Sequence, residues 1–193
     1  QALRCYLAAW RQHKQTGPDR EKAATLHDLA VAYSERLTGK RLINLKRAQA
    51  YGQKALRTVD RRDARLWGSV RTDAIDVLWK LGNLERRQGD QQSAAHLEQA
   101  IEYGKEVISS LKGPAFTHLL ARARYNLGNA YGDRIRGNRA ENQALAIASY
   151  KQALKLFDAQ DVFWQAETHN NLGVTFLERN SQADDVLQAI SHL

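Results

Sequence analysis

Arg124-Tyr125-Asn126-Leu127-Gly128-Asn129-Ala130-Tyr131, followed nineteen positions after its Leu by Ala146-Ile147-Ala148-Ser149-Tyr150, is the stretch whose reading decides the fold. A Leu followed by a small residue recurs at Leu29-Ala30, Leu81-Gly82 and Leu172-Gly173. The first two of these carry an Ala at the same interval of nineteen, at Ala48 and Ala100. A fixed interval that recurs in this way marks an internal repeat. Repeats of this size predict a stacked helical array in which each unit buries its apolar face against the next.

Outward from that stretch the apolar residues keep helical spacing. Ala23, Leu26, Leu29, Ala30 and Tyr33 fall on one face, as do Leu66, Val70, Ala74, Val77, Leu78, Leu81 and Leu84. Glycine punctuates the runs at Thr16-Gly17-Pro18-Asp19, Thr38-Gly39-Lys40, Gly89-Asp90 and Lys112-Gly113-Pro114, where Gly ends a helix and Pro blocks its continuation. Helices are expected over about 20–37, 43–59, 64–88, 93–111, 116–135, 142–157 and 162–178, after an opening helix over about 2–15. No stretch alternates with period two, so no sheet is expected. The expected class is all-α, an α-solenoid of stacked antiparallel helical hairpins in a single array over 1–193. Its units are a partial repeat at 1–15, repeats at 20–59, 64–111 and 115–157, and a truncated repeat at 162–193 whose closing helix begins near Asp184. Small residues at Gly82, Gly128, Gly173, Ala100 and Ala146 are expected to let neighbouring backbones approach, with Tyr33, Tyr131, Tyr150 and Phe176 filling the gaps between hairpins.

The ends read alike. Ala2-x-x-x-Tyr6-x-x-Ala9 has the pattern of Ala146-x-x-x-Tyr150-x-x-Ala153, and Gln188-Ala189-Ile190 is in phase with Gln1-Ala2-Leu3. A piece of a longer array is the expectation. There is no Met in the sequence, two prolines and a single Cys, Cys5. No disulfide framework or cysteine zinc site is possible with one Cys, and no apolar run reaches the length of a membrane span. A cytoplasmic protein is expected, with no membrane contact.

The motif Arg124-x-x-Leu127-Gly128-x-x-Tyr131 with Ala146-x-x-x-Tyr150-x-x-Ala153 resembles the tetratricopeptide repeat (TPR). His169-x-x-Leu172-Gly173-x-x-Phe176 is similar to its first half, and Leu26-x-x-Leu29-Ala30-x-x-Tyr33 more loosely so. The Leu81-Gly82 unit departs, with Glu85 at the aromatic position and Gly104 in place of the second aromatic. The family's Trp and Pro are absent from these positions, and its usual Leu-to-Ala interval is shorter by roughly six residues. The extension has two copies, Glu35-Arg36-Leu37-Thr38-Gly39-Lys40-Arg41-Leu42-Ile43-Asn44 and Asp133-Arg134-Ile135-Arg136-Gly137-Asn138-Arg139-Ala140-Glu141-Asn142. This looks like the long-repeat subclass of large bacterial proteins, whose arrays often precede a caspase-like CHAT protease domain. The Arg and Asn of each copy either tie the long turn to backbone carbonyls or contact a partner.

The resemblance implies a right-handed superhelix whose concave groove is lined by the first helix of each pair. Carried over by position, it implies partner-binding residues at His27, Trp79, Asn83, Arg86, Arg87, Tyr125, Asn129, Asp133 and Asn170. Val31, Ser34, Glu35, Gly132, Val174, Leu177 and Glu178 lie at matching offsets. Asn83 and Asn129 match the family's Asn, whose amide serves a ligand backbone or, equally, a neighbouring helix. Trp79 and Tyr125 have the character of binding anchors. The Lys that the family's carboxylate clamp requires is missing, so recognition of a C-terminal carboxylate is not expected.

No catalytic constellation is found: no phosphate loop, no His-Glu-x-x-His and no Gly-x-Ser-x-Gly. The six His stand singly, with no pair at metal-ligand spacing. Cys5 reads as a small packed side chain rather than a nucleophile. No enzyme activity, cofactor or metal is expected. The net charge of +8 lies in the first third: residues 1–65 hold fifteen Lys and Arg against six Asp and Glu. Lys40, Arg41, Lys46, Arg47, Lys54 and Arg57 form a basic patch on a second helix and its turn. Such a patch attracts nucleic acid or an acidic partner, but it lacks the interleaved aromatics of a single-strand binder. The leading expectation is a scaffold that binds a protein or peptide, or another domain of its own chain, in the groove. The alternatives are the sensor arm of a larger CHAT-type protease, and nucleic-acid contact through the basic helices.

Overall fold

The computed structural model describes residues 2–179. Every described element is helical: α1 Ala2–Thr16, α2 Asp19–Ser34, α3 Arg41–Thr58, α4 Ala64–Arg87, α5 Gln92–Ser110, α6 Thr117–Gly132, α7 Arg139–Leu154 and α8 Val162–Arg179, with a 3-10 turn at Pro114–Phe116. The closing helix expected near Asp184 lies outside the described residues. No described helix is long and apolar enough to cross a membrane.

Each helix packs on its successor, and α4 and α6 also touch across the pairs. Within a pair the contacts run in opposite senses. Gly68 meets Leu111 while Gly82 meets Leu97, and the Ser93 hydroxyl donates to the Gly82 carbonyl at 2.7 Å. Helices α4 and α5 are therefore antiparallel. The same holds for α6 and α7, where Gly128 lies under Tyr150 and Arg139 reaches the Gly132 carbonyl.

The expected repeat register reappears in the helices themselves. Helices α2 and α6 have the same length and begin ninety-eight positions apart. Both end three residues earlier than the apolar pattern suggests, because the extension folds as a turn rather than as more helix. In the first copy Asn44 Nδ2 donates to the Thr38 carbonyl at 2.9 Å. In the second, Asn142 Nδ2 donates to the Arg136 carbonyl at 2.8 Å. Arg41 and Arg139 each reach back seven residues to the last carbonyl of the preceding helix, at Ser34 and Gly132. Gly39 and Gly137 take φ of 87° and 82°, a left-handed turn that any Cβ would strain. The Asn and two of the Arg thus serve the turn, answering carbonyls that a helix end leaves unpaired.

Gly128 receives a side chain, whereas Gly82 receives both a side chain and a neighbouring backbone, with the Ser93 carbonyl 3.2 Å from where a Cβ would stand. A Cβ at Gly128 would stand 2.5 Å from the Tyr150 ring, and one at Gly82 would stand 2.8 Å from Leu97 Cγ. The aromatics do fill the interior, with Tyr33, Tyr131, Tyr150 and Phe176 all buried. The main apolar cluster runs through α4–α8 to Phe176 and also takes in Ala23 of α2 and Val59 at the end of α3. Two smaller clusters lie around α2 and α3. Tyr33, Leu45, Ala48, Val77 and Leu81 form one small cluster, and Leu26, Ala55 and Val70 another.

Candidate functional site

A cavity of about 610 Å³ lies against both of those small clusters, with Ala48 and Val77 of one and Val70 of the other in its lining. Its walls come from α2, α3, α4, α5, α6 and α8. The repeat register accounts for it. In the α6–α7 pair the Tyr150 ring covers Gly128, and its hydroxyl donates to Asn129 Oδ1 at 2.7 Å. Ninety-eight positions earlier, the same places hold Ala30 and Gly52. No ring grows from position 52, and a Cβ there would meet nothing nearer than the Ala30 methyl at 3.9 Å. The preceding residue, Tyr51, turns away to stack on Tyr33, with centroids 5.5 Å apart. Helix α5 also carries a glycine at the second aromatic position, Gly104, but Leu127 closes onto it at 3.1 Å. Only the first pair leaves the space open among the described residues.

The floor of the cavity is apolar, with Ala30, Ala48, Gly52, Val70 and Leu56. Its rim is charged. Asp73 accepts from His27 Nε2 at 2.8 Å and pairs with Arg122. Burial alone would lift the Asp73 carboxyl, but those two partners outweigh it and hold it below the usual value. Three residues on, Asp76 pairs with Lys80 Nζ at 2.7 Å, and the same ammonium reaches Glu35 at 3.1 Å. Burial wins at Asp76 and raises its carboxyl despite Lys80. Aromatic side chains stand around the mouth. The guanidinium of Arg122 lies 5.0 Å from the Trp164 ring centroid, and Trp164 packs edge-on against Tyr125 and Phe163. Phe163 is 65% exposed.

Several groove residues expected from the sequence do come together, but on one another. Asp133, just past the end of α6, accepts from Trp79 Nε1 at 2.7 Å and Asn83 Nδ2 at 2.6 Å. Its other oxygen accepts from Arg86 Nη2 at 2.8 Å. Four candidate binding residues therefore form a clasp between α4 and the turn after α6. Of these, only the Trp79 side chain also faces the cavity. Asn129 is buried, accepting from Tyr150 and from Asn171 Nδ2 at 2.9 Å. Helix-to-helix bonding, one of the two roles open to Asn83 and Asn129, is the one their contacts serve. Tyr125 is buried on the cavity wall, its hydroxyl accepting from Asn171 at 3.3 Å. His27 lines the rim, Arg87 is exposed, and Asn170 is exposed beside Asn171.

Glu85 is the residue whose role the sequence concealed. It stands where the other units place Tyr33, Tyr131 and Phe176, and it is fully buried. His96 Nδ1 donates to its carboxylate at 2.7 Å, and Lys46 Nζ lies at 3.5 Å. The second nitrogen of His96 is 3.0 Å from Gln49 Nε2. A His that donates through Nδ1 accepts through Nε2, so the Gln49 amide completes the chain. A polar relay from α3 to α5 replaces the missing ring. The cavity residues Asp73, Asp76, Lys80, Glu167 and Trp164 were also not legible as a site. Gly52 was missed as well, although its place in the register of Tyr150 is the signal that marks it.

The basic patch is partly engaged within the chain. Lys46 faces Glu85, Arg41 holds a carbonyl, and Arg47 and Lys54 lie over the Tyr33 and Tyr51 rings at 5.6 and 5.7 Å. Lys40 and Arg57 are exposed. Cys5 is exposed on α1, which corrects its expected role as a packed side chain: helix α1 has no buried residue. No group of three or more His, Cys, Asp or Glu that could hold a metal occurs among the described residues. No family model matches this chain, and the curated proteins contain no match to it.

Proposed function

We propose that the chain is a non-catalytic interaction scaffold of TPR type, a stacked solenoid of helical pairs that binds a peptide or partner domain on the face shared by α2, α4, α6 and α8. The observation that carries this reading is the cavity of about 610 Å³ opening on that face. Its size is in the range of ligand sites, and it combines an apolar floor with a few convergent polar groups. Exposed apolar side chains on the first helices of the pairs add contact area, Val31 and Phe163 in the cavity lining and Val174 and Leu177 beyond it. Trp79, Asn83, Arg86 and Asn129 enter as the frame that fixes the face rather than as its contacts, because each is held by a partner within the chain.

The test is selection of binders from a random peptide display library against the purified chain. Affinities are then compared in the Val31→Glu/Val174→Glu double variant. Both residues are exposed, so the helices should persist. Loss of affinity by tenfold or more is expected. Selected peptides that bind the double variant as tightly as the parent would place recognition elsewhere and defeat the reading.

A further inference from the structure

We infer that the cavity between the first two helical pairs takes a bulky apolar side chain of a bound peptide in its floor and an adjacent basic side chain at its rim. The inference rests on the scaffold reading and narrows it to one subsite and one peptide chemistry.

In the third pair, the space between a small residue on the first helix and the second helix is filled by an aromatic ring, Tyr150 on Gly128. In the first pair the ring is absent and the space is open, with Ala30 and Gly52 facing it. The chain thus shows both the filled and the unfilled form of one packing arrangement. Apolar surface left open to water is a binding opportunity, since each ring buried there removes apolar area from solvent. Residues of both small core clusters, Ala48 and Val77 of one and Val70 of the other, line the cavity, so an inserted side chain would pack against both.

The rim argument is charge. Four carboxylates line the cavity, Glu35, Asp73, Asp76 and Glu167, against the two permanent cations Lys80 and Arg122. The imbalance is negative in a chain whose net charge is +8. Asp73 and Asp76 already hold Arg122 and Lys80, and no cation pairs with Glu167 among the described residues. Lys80 and Arg122 show the chemistry these carboxylates accept. One is an ammonium between two carboxylates, the other a guanidinium held by a carboxylate and lying over the Trp164 face. An incoming Lys or Arg would use the same donors, with Glu167 as its free acceptor and the exposed aromatic mouth beside it.

The test uses the displayed-peptide selection with two further variants. Gly52→Phe fills the floor from within, at a site with room for its Cβ. Glu167→Lys reverses the rim charge at a half-exposed position outside the core. Selected peptides should be enriched in an aromatic or large aliphatic residue next to Lys or Arg. Their affinity should fall at least tenfold in each variant, and the Gly52→Phe protein should unfold at a temperature no lower than the parent. Peptides that lose affinity in Val31→Glu/Val174→Glu but bind both Gly52→Phe and Glu167→Lys like the parent would overturn the subsite and leave the scaffold standing. Recovery of peptides without the apolar–basic pair would overturn it too. If Gly52→Phe fails to fold, Glu167→Lys alone decides. Recovery of no peptide at all would defeat the scaffold reading and the subsite together.

Discussion

Placing the same methyl group at Gly128, beneath the Tyr150 ring, and at Gly52, where that ring is missing, should have opposite effects on stability. At Gly128, the Cβ of an alanine would stand 2.5–2.9 Å from three atoms of the Tyr150 ring. The ring cannot retreat freely, because its hydroxyl donates to buried Asn129 at 2.7 Å, and a buried hydrogen bond is worth about 1 kcal/mol. Overpacking of this kind costs ~1–3 kcal/mol, while replacing Gly by Ala inside a helix returns about 1 kcal/mol. With the Tyr150–Asn129 bond lost as the ring is displaced, Gly128→Ala should therefore be less stable by roughly 1–3 kcal/mol. At Gly52 the nearest atom to the new Cβ is 3.9 Å away, so only the helix term acts. Gly52→Ala should be more stable by about 0.5–1 kcal/mol. Urea unfolding followed by far-ultraviolet circular dichroism measures both, provided the slopes agree with the parent. The Tyr150→Ala background supplies the control, since the cost of Gly128→Ala should vanish once the ring is gone. A Gly128→Ala protein as stable as the parent, or a cost that persists without the ring, would refute the packing argument and with it the origin assigned to the cavity.

Three further outcomes are expected. Asp133→Ala removes the acceptor shared by Trp79, Asn83 and Arg86 and should cost about 2–3 kcal/mol in the same urea assay, whereas Arg86→Ala, at an exposed donor, should cost less than 1. Glu85→Ala should destabilise by roughly 3 kcal/mol by stranding His96 and Lys46 beside a buried void, and an unchanged midpoint would show that the relay is not formed. Asp63 caps α4, and the Leu66 amide holds its carboxyl below the ordinary value of 3.8. A depressed carboxyl stabilises the fold above the unfolded-state value, and that contribution is lost as pH falls through the folded value. The parent should thus lose stability below about pH 4 more steeply than Asp63→Asn, and identical acid profiles would remove the cap from the account.

The helical class, the positions of the pairs and the offset between units were readable along the chain, because they depend on period and punctuation. Leu, Ala and Tyr at fixed intervals mark a helix face wherever they occur, and Gly39 and Gly137 sit in the same turn because the same residues surround them. The helix ends at Ser34 and Gly132 were overrun because Arg36, Leu37 and Ile135 are ordinary helix residues. It took the Asn44 and Asn142 amides, closing on carbonyls six residues back, to stop them.

The site divides along the same line. That Trp79, Asn83, Tyr125 and Asn129 share a face follows from spacing. Whether their polar atoms are free for a ligand depends on what stands across the interface. Asp133, forty-seven to fifty-four residues away, claims three side chains of α4. Asn171 and Tyr150 both claim the Asn129 oxygen, while its buried Nδ2 has no hydrogen-bond partner among the described residues. Local sequence carries no record of such partners, since hydrogen bonds and ion pairs between helices are set by the approach of two surfaces. The cavity is the intermediate case. The sequence alone determined that a ring is missing at Gly52, and only the tertiary structure decided that nothing moved in to replace it. At Gly104 the same omission is closed by Leu127, whereas at Gly52 the facing helix brings only the small side chain of Ala30, with Ala48 beside it on α3 itself, and the space remains.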